Sequence, residues 1–560
     1  MTPLKTLPIL VACGAVLAAP GCNFAPAYQP PRTAATTDSF KEAVPAASNT
    51  SQGWKIAEPS DARLGGDWWE LYGDAELSAL EARVAVSNQT VAVAEANYRA
   101  AHALVAEAEA AYYPSVNLEP SIIRSRSSAS GGSASSGTSS SSAGSSSSSG
   151  GGSPTSAPGT TRTLYTLPAD ATYEVDLWGR VRNTVAQSSD TAQASAAEVA
   201  TALLSTQGQL AQDYFQLRAV DEQRRILDTT LADYEASLHL VQTLFNNGLA
   251  SDEDLAEADT QLDSAEAQAT DLGVSRAQLE HAIAVLIGVP PGQFSLAVRP
   301  FNPALPLVPV ALPSDLLERR PDIAAAERQV AAANAGIGIA RAAYFPALSL
   351  GASAGFEATG LSHLFDYPNR FWSLGPSLVQ PLFEGGLIRA ENAQARAVYD
   401  QTAATYRQTV LAAFQAVEDN LSSLRILSRE ERQQHRATAA AKHEVELTVS
   451  RYQNGLDSYV NVIAAQNTFL TNREAELQVQ LRRIAASISL VNNLGGGWDT
   501  SLLQQTARTA QNPPDAGKAA EVPPQDAGAI PNPPHLPNSI AKPEDLLKQN
   551  DADVSPPPAP

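Results

Sequence analysis

The chain carries one set of structural punctuation twice. Ala111-Tyr112-Tyr113-Pro114 runs into an alternating apolar stretch, and Ala343-Tyr344-Phe345-Pro346 runs into another. Asn247-Gly248-Leu249 returns as Asn454-Gly455-Leu456. Pro114 and Pro346 stand 232 residues apart, whereas Gly248 and Gly455 stand 207 apart. The difference of 25 has a visible source: the Ser/Gly run from Ser127 to Gly152 has no counterpart in the second copy. A unit this long is no solenoid repeat of roughly 20 to 50 residues. It constrains the chain to two similar structural halves.

Residues 1–21 predict a secretory signal: Lys5 is followed by a mostly apolar stretch from Leu7 to Ala19. The stretch is too short and too Pro-interrupted to span a bilayer, and no later apolar run approaches the roughly 18 residues that a spanning helix needs. It ends on Ala19-Pro20-Gly21-Cys22, small residues before a cysteine, which resembles the lipobox of bacterial lipoproteins. Leu10-Val11-Ala12-Cys13 is an alternative lipobox behind a shorter apolar region. With Cys22 acylated, no cysteine pair remains for a disulfide. The formal net charge of −21 argues against nucleic acid as a partner, because phosphate neutralisation requires a basic face.

Residues 22–66, rich in Pro, Ser, Thr and Ala, read as an acylated N-terminal linker. The first repeat spans 67–289. A helical Ala-rich pattern runs from Ala75 to Tyr112 and stops at Pro114. Strand-like alternation follows over 116–126 and again over 163–176, and the Ser/Gly loop 127–160 separates the two. Gly179 to Asn247 holds no Pro and one internal Gly, Gly208. Within it Leu227, Leu231, Tyr234, Leu238, Val241 and Phe245 are spaced 4-3-4-3-4, a heptad seam. A helix of that length would span about 100 Å at 1.5 Å per residue. Gly248 ends it, and Ser251 with Asp254 predicts a capped restart that runs to about Ile287.

A Pro-rich connector, 290–313, leads into a second repeat over 314–498, with strands over 347–357 and 371–380. Its long helix runs from Gly386 to Tyr452 and carries Val410, Phe414, Val417, Leu421 and Leu424 at the same spacing. The return helix repeats it with Leu477, Leu481, Ile484, Ile488 and Val491. Residues 499–560 have the composition of a disordered Pro-rich tail.

A sheet that spans lipid must close on itself, since each unpaired backbone group there costs several kcal/mol. Strands of about 9 to 11 residues suit a tilted barrel wall. Four strands cannot enclose a lumen, so a barrel requires several chains. The predicted fold class is therefore mainly α with a membrane β-barrel, internally duplicated. The other reading of the pattern is a structural periplasmic coiled coil whose strands form a small soluble sheet.

Several motifs resemble the TolC-like outer-membrane efflux proteins, in particular the lipoprotein (NodT-type) branch that serves resistance-nodulation-division pumps. They are Gly21-Cys22-Asn23-Phe24-Ala25-Pro26, Trp68-Trp69-Glu70-Leu71-Tyr72-Gly73-Asp74, Leu312-Pro313-Ser314-Asp315-Leu316-Leu317-Glu318-Arg319-Arg320-Pro321-Asp322, Phe383-Glu384-Gly385-Gly386 and Tyr452-Gln453-Asn454-Gly455. The resemblance covers roughly Cys22 to Trp498. It implies a homotrimeric duct with a twelve-stranded barrel in outer-membrane lipid and an α-helical barrel crossing the periplasm. It also implies a periplasmic adaptor (membrane fusion) protein and an inner-membrane transporter as partners, palmitate on Cys22, and sorting to the outer membrane through Asn23.

The resemblance places adaptor-docking tips at Phe245, Asn247, Gly248, Leu249 and Ser251, and at Tyr452, Asn454, Gly455, Leu456 and Ser458. It places a periplasmic gate at Val460, Asn461 and Ala464. Family members often carry Asp where Ile463-Ala464-Ala465-Gln466 has Ala464. The implied constriction is therefore apolar to neutral.

Enzyme chemistry finds no support. His443-Glu444-Val445-Glu446 lacks the second His of a zinc-protease helix. Gly495-Gly496-Gly497 ends a helix instead of opening one, so it is no phosphate loop. Asp and Glu read as helix-surface charges without special pairing, and no cofactor or metal is expected. The exit duct of a small-molecule efflux pump, the duct of a protein-secretion system and a poreless coiled coil are the three functions compatible with the chain.

Overall fold

In the computed structural model, residues 23–31, 41, 67–126, 161–301 and 320–496 are described. Cys22, most of the linker, the Ser/Gly run, most of the connector and the tail lie outside them.

Seven α-helices occur among the described residues: α1 (Ala75–Ser87), α2 (Gln89–Ala110), α3 (Arg180–Asn246), α4 (Asp252–Leu286), α5 (Pro321–Ala342), α6 (Leu387–Gln453) and α7 (Tyr459–Asn493). The strand segments are β1 (Ser115–Leu118), β2 (Ser121–Arg126), β3 (Thr161–Val175), β4 (Ala347–Ala358) and β5 (Arg370–Val379). The duplication holds to the residue: α2 and α5 have 22 residues each, α3 and α6 have 67, and α4 and α7 have 35.

Two expected elements are interrupted. The helix expected over Ala75–Tyr112 breaks at Asn88, whose backbone is extended and whose side chain accepts from Thr90 N and Val91 N at 2.8 and 3.1 Å. Asparagine is a strong N-cap because its carbonyl satisfies amides that a new helix leaves open. Asn88 Nδ2 also donates to Leu286 O at 2.6 Å, which ties the break to the end of α4. The strand expected over 116–126 is split between Leu118 and Ser121. Leu118 pairs with Ala169 and Ser121 with Thr166, so the register is kept across the gap. Pro120 sits opposite the Leu167–Pro168 pair, and neither proline has an N–H to give the ladder.

The heptad seams form the core. Leu227, Tyr234 and Val241 are buried on α3, Val410, Val417, Leu421 and Leu424 on α6, and Leu477, Ile484, Ile488 and Val491 on α7. Phe245, at the end of its seam, is 38% exposed. Trp68, Tyr72, Leu77, Leu80 and Val84 join residues of both repeats in the largest apolar cluster. Each fully buried large side chain there is worth about 1.5–3 kcal/mol.

The helices pack in rows. On the sheet side of that cluster α3 packs on α2 and α5, and α5 on α6; on the tip side α3 packs on α4 and α7, and α7 on α6. The row orders are thus α2–α3–α5–α6 and α4–α3–α7–α6.

The expectation that the acids are unpaired surface charges fails beside α1. Arg218, 4% exposed, reaches Glu76 at 2.6 Å and Asp221 at 3.0 Å, and donates to Ala297 O at 2.7 Å. Arg276 reaches Asp221 at 2.8 Å and donates to Leu296 O at 2.6 Å. This network pins the start of the inter-repeat connector onto α3 and α4. Buried charges survive only when paired and hydrogen-bonded in this way.

Candidate functional site

The strands form one antiparallel sheet, ordered β1/β2–β3–β4–β5. Side chains alternate between its faces. One face carries Leu350 opposite Pro376, Ala352 opposite Leu374 and Ala354 opposite Trp372. The other carries Ser349 opposite Ser377, Gly351 opposite Gly375 and Ser353 opposite Ser373. Trp372 is 78% exposed and Leu374 73%. An apolar face backed by a small, polar one is the pattern of a barrel wall with lipid outside and a lumen inside. Among the described residues of one chain, β1/β2 and β5 remain open edges.

The two tips are built alike. Gly248 and Gly455 hold φ +73° and +68°, a region that only glycine enters without strain. Leu249 N donates to Leu244 O and Leu456 N to Arg451 O, both at 2.9 Å. Asn247 and Asn454 each donate from Nδ2 to the carbonyl four residues back, at 2.7 Å. Leu249 and Leu456 are 76% and 72% exposed, and Asn247, Ser251, Asn454 and Ser458 are also exposed. Tyr452 differs from the other tip residues: it is buried against Tyr459, ring centroids 5.3 Å apart.

Ser251 forms the expected capping box with Asp254, whereas Ser458 makes no side-chain cap on α7. In its place Asp457 accepts from Ser458 N at 3.0 Å and from Asn461 Nδ2 at 2.5 Å, and it faces Arg451 Nε at 3.3 Å. The Asn461 hydrogen bond, with help from Ser458 N and Arg451, holds the Asp457 carboxyl below its usual range. Val460, Asn461 and Ala464 share the exposed face of α7, opposite the buried Tyr459, Val462 and Ala465. Sequence reasoning missed Asp457. Its position one turn before Asn461 was the available signal.

The N-terminal strap 23–31 lies against the junction of helices and sheet. The Phe24 ring stacks on Phe345 at 4.3 Å, and Trp178 stacks on Phe345 at 4.9 Å and donates to Pro346 O at 2.7 Å. Asn23 Oδ1 accepts from Asn183 Nδ2 at 3.0 Å, Arg341 donates to Phe24 O at 3.1 Å, and Asn334 donates to Pro26 O at 2.9 Å. Asn23 therefore stands where β3 has ended and β4 begins.

Among the described residues no group of His, Cys, Asp and Glu could hold a metal, and no helix is long and apolar enough to cross a membrane.

The outer membrane efflux protein family matches residues 82–289 and 312–496. The pyoverdine export outer membrane protein OpmQ of Pseudomonas aeruginosa is 33% identical over 447 residues, covering 79% of this chain and 89% of that protein. The toluene efflux pump outer membrane protein TtgI of Pseudomonas putida is 34% identical over 334 residues, 59% of this chain and 70% of that one. Among solved structures, the outer-membrane channel OprN aligns with a TM-score of 0.73 at 26% identity, over 85% of this chain and all of OprN. The family match runs through both repeats, with their strands and hairpins, and the chain accordingly belongs to the outer membrane efflux protein family, as a channel component and not an enzyme.

Proposed function

We propose that three copies of this chain close into one duct, the outer-membrane exit of a tripartite pump. A periplasmic adaptor and an inner-membrane resistance-nodulation-division transporter complete it, and it carries small molecules outward. The carrying observation is the open edges of the sheet. A sheet with one apolar face can remain in lipid only if its edges find partners. Joining β5 of one copy to β1/β2 of the next satisfies both at once. Three copies supply twelve strands, an even number within the range of outer-membrane barrels. The relatives' roles in pyoverdine export and toluene efflux support a small-molecule cargo.

The exposed Leu249 and Leu456, on matching turns, are the surfaces offered to the adaptor. The exposed face of Val460, Asn461 and Ala464 lines the constriction, with the Asp457–Arg451 pair behind it. The strap supports an acyl anchor on Cys22, because the adjacent Asn23 is held against Asn183 just after the end of β3. Anchoring on Cys13 would interpose nine residues. Labelling with palmitate tests the anchor: Cys22→Ser abolishes incorporation and Cys13→Ser leaves it, and the reverse result rejects the assignment.

Single-channel recording in planar bilayers tests the duct. Discrete conductance steps are expected, larger after both helical tips are shortened equally. A folded, membrane-inserted protein that gives no steps in either form is not a duct.

A further inference from the structure

The alternation that gives the sheet its two faces also sorts its charges. On the apolar face the run Val116, Leu118 and Ile122 of β1/β2 ends on Arg124 and Arg126, opposite Thr163 and Thr161. The run Leu378, Leu374 and Trp372 of β5 ends on Arg370, opposite Phe356. Among the described residues these three arginines are the only charges that the pairing puts on that face. The strand acids Asp170, Glu174 and Glu357 fall on the other face, which also holds Arg162 opposite Ser125. Arg124, Arg126 and Arg370 all stand at the end of the sheet away from the helices, where β2 runs out and β5 begins.

Nothing nearby neutralises them. All three are exposed, and none makes an ion pair among the described residues. Residues 127–160, which follow β2, contain no Asp or Glu. The turn from β4 to β5 has one acid, Asp366, and it faces His363 Nδ1 at 3.0 Å. Arg370 lies over the Tyr367 ring, 3.3 Å from its centroid, a contact that holds the guanidinium without supplying an anion. On a lipid-facing wall a charge is costly at the midplane and tolerated near the interface. An arginine that ends an apolar run lays its stem on that surface and carries its guanidinium to the level of the headgroups.

We infer that the outward ends of β2 and β5 form a binding surface for phosphate-bearing lipid in the outer leaflet of the outer membrane, with Arg124, Arg126 and Arg370 as its ligands. The inference rests on the closed duct proposed above, because joining β5 of one copy to β1/β2 of the next brings the three arginines onto adjoining strands. Like charges so placed repel unless an anion lies among them. The planar guanidinium fork matches the oxygens of a phosphate, and clustered bases beside an apolar membrane surface select anionic headgroups.

Binding of bisphosphorylated lipid A to the full-length protein in neutral detergent tests the surface. The parent is expected to bind it, and Arg124→Gln with Arg126→Gln and Arg370→Gln to weaken binding about tenfold or more. Arg162→Gln, a neutralisation at the same end but on the other face, should leave binding unchanged. Lysine at the three positions keeps the charge and loses the fork, so its affinity should fall between parent and glutamine variant; it serves the same test if the glutamine variant does not assemble. Lipid A stripped of its phosphates should bind the parent no better than the glutamine variant binds the intact lipid. An excess of inorganic phosphate should leave the lipid bound. Unaltered affinity in the glutamine variant, an equal loss in Arg162→Gln, or displacement by inorganic phosphate overturns the lipid surface. A trimer without phosphate-dependent binding rejects the surface and leaves the duct standing, whereas a parent that binds as expected but does not run as a trimer rejects the duct.

Discussion

Gly208 on α3 lies so close to Asn492 on α7 that a Cβ on the glycine would stand 1.8 Å from Asn492 Nδ2. The only internal glycine of α3 thus marks a close approach of the two repeats, at the base of their hairpins. Gly208→Ala is expected to displace the Asn492 side chain and destabilise the protein by about 1 kcal/mol, the low end of the range for overpacking. Chemical unfolding measures it. Gly208→Ala combined with Asn492→Ala should recover most of the loss, and an unaltered midpoint for Gly208→Ala alone would show that the contact is slack.

Glu81 supplies a pH dependence. It is fully buried in α1 between Leu77 and Val84, and neither carboxylate oxygen has a hydrogen-bond partner among the described residues. Burial pushes its pKa from 4.5 up to about 9. The folded protein therefore holds a proton that the unfolded chain releases, and stability falls as pH rises through the window from about 4.5 to 9. The slope is roughly 1.4 kcal/mol per pH unit for a single group. Glu81→Leu should be more stable than the parent at pH 8 and nearly equal to it at pH 4.5. Thermal unfolding at both pH values checks this; a parent protein equally stable relative to Glu81→Leu at each would mean that the acid has a partner or reaches water.

The two serines that open the return helices should behave differently. Ser251 accepts from Asp254 N at 3.1 Å and completes a reciprocal box, so Ser251→Ala is expected to cost about 1 kcal/mol. Ser458 makes no side-chain cap, and Ser458→Ala should cost close to nothing. Amide hydrogen exchange in the first turns of α4 and α7 separates the cases. Equal loss of protection at both would contradict the assignment.

Ala464 stands exposed with Val460 and Asn461 on one face of α7. If that face lines the constriction, Ala464→Asp brings three carboxylates together by the threefold repetition. Single-channel recordings should then show block by divalent cations that is absent from the parent. Unchanged block places the constriction elsewhere.

Most of the architecture was legible because it is written in local chemistry. Gly248 and Gly455 sit where backbone sterics require glycine, and heptad spacing from Leu227 to Val241 records a seam that burial then fills. The breaks at Asn88 and Pro120 were harder to read. Asparagine in an Ala-rich run looks like a tolerated helix residue until its amide is seen bonded to Leu286, and Pro120 acts through Pro168 on another strand. The network of Glu76, Arg218, Asp221 and Arg276 was illegible for the same reason. Its members are spread over about two hundred residues, and only the packing of α1, α3 and α4 brings them together. Asp457 and the buried Tyr452 show the limit at the tips: repetition marks the turn, and contacts across it decide which side chains remain available.

In the proposed duct, two further copies close the open edges of the sheet. Native mass spectrometry of the detergent-extracted, full-length protein measures this directly. A single species of three chains is expected. A monomer, a dimer or a four-chain assembly as the stable species would contradict it.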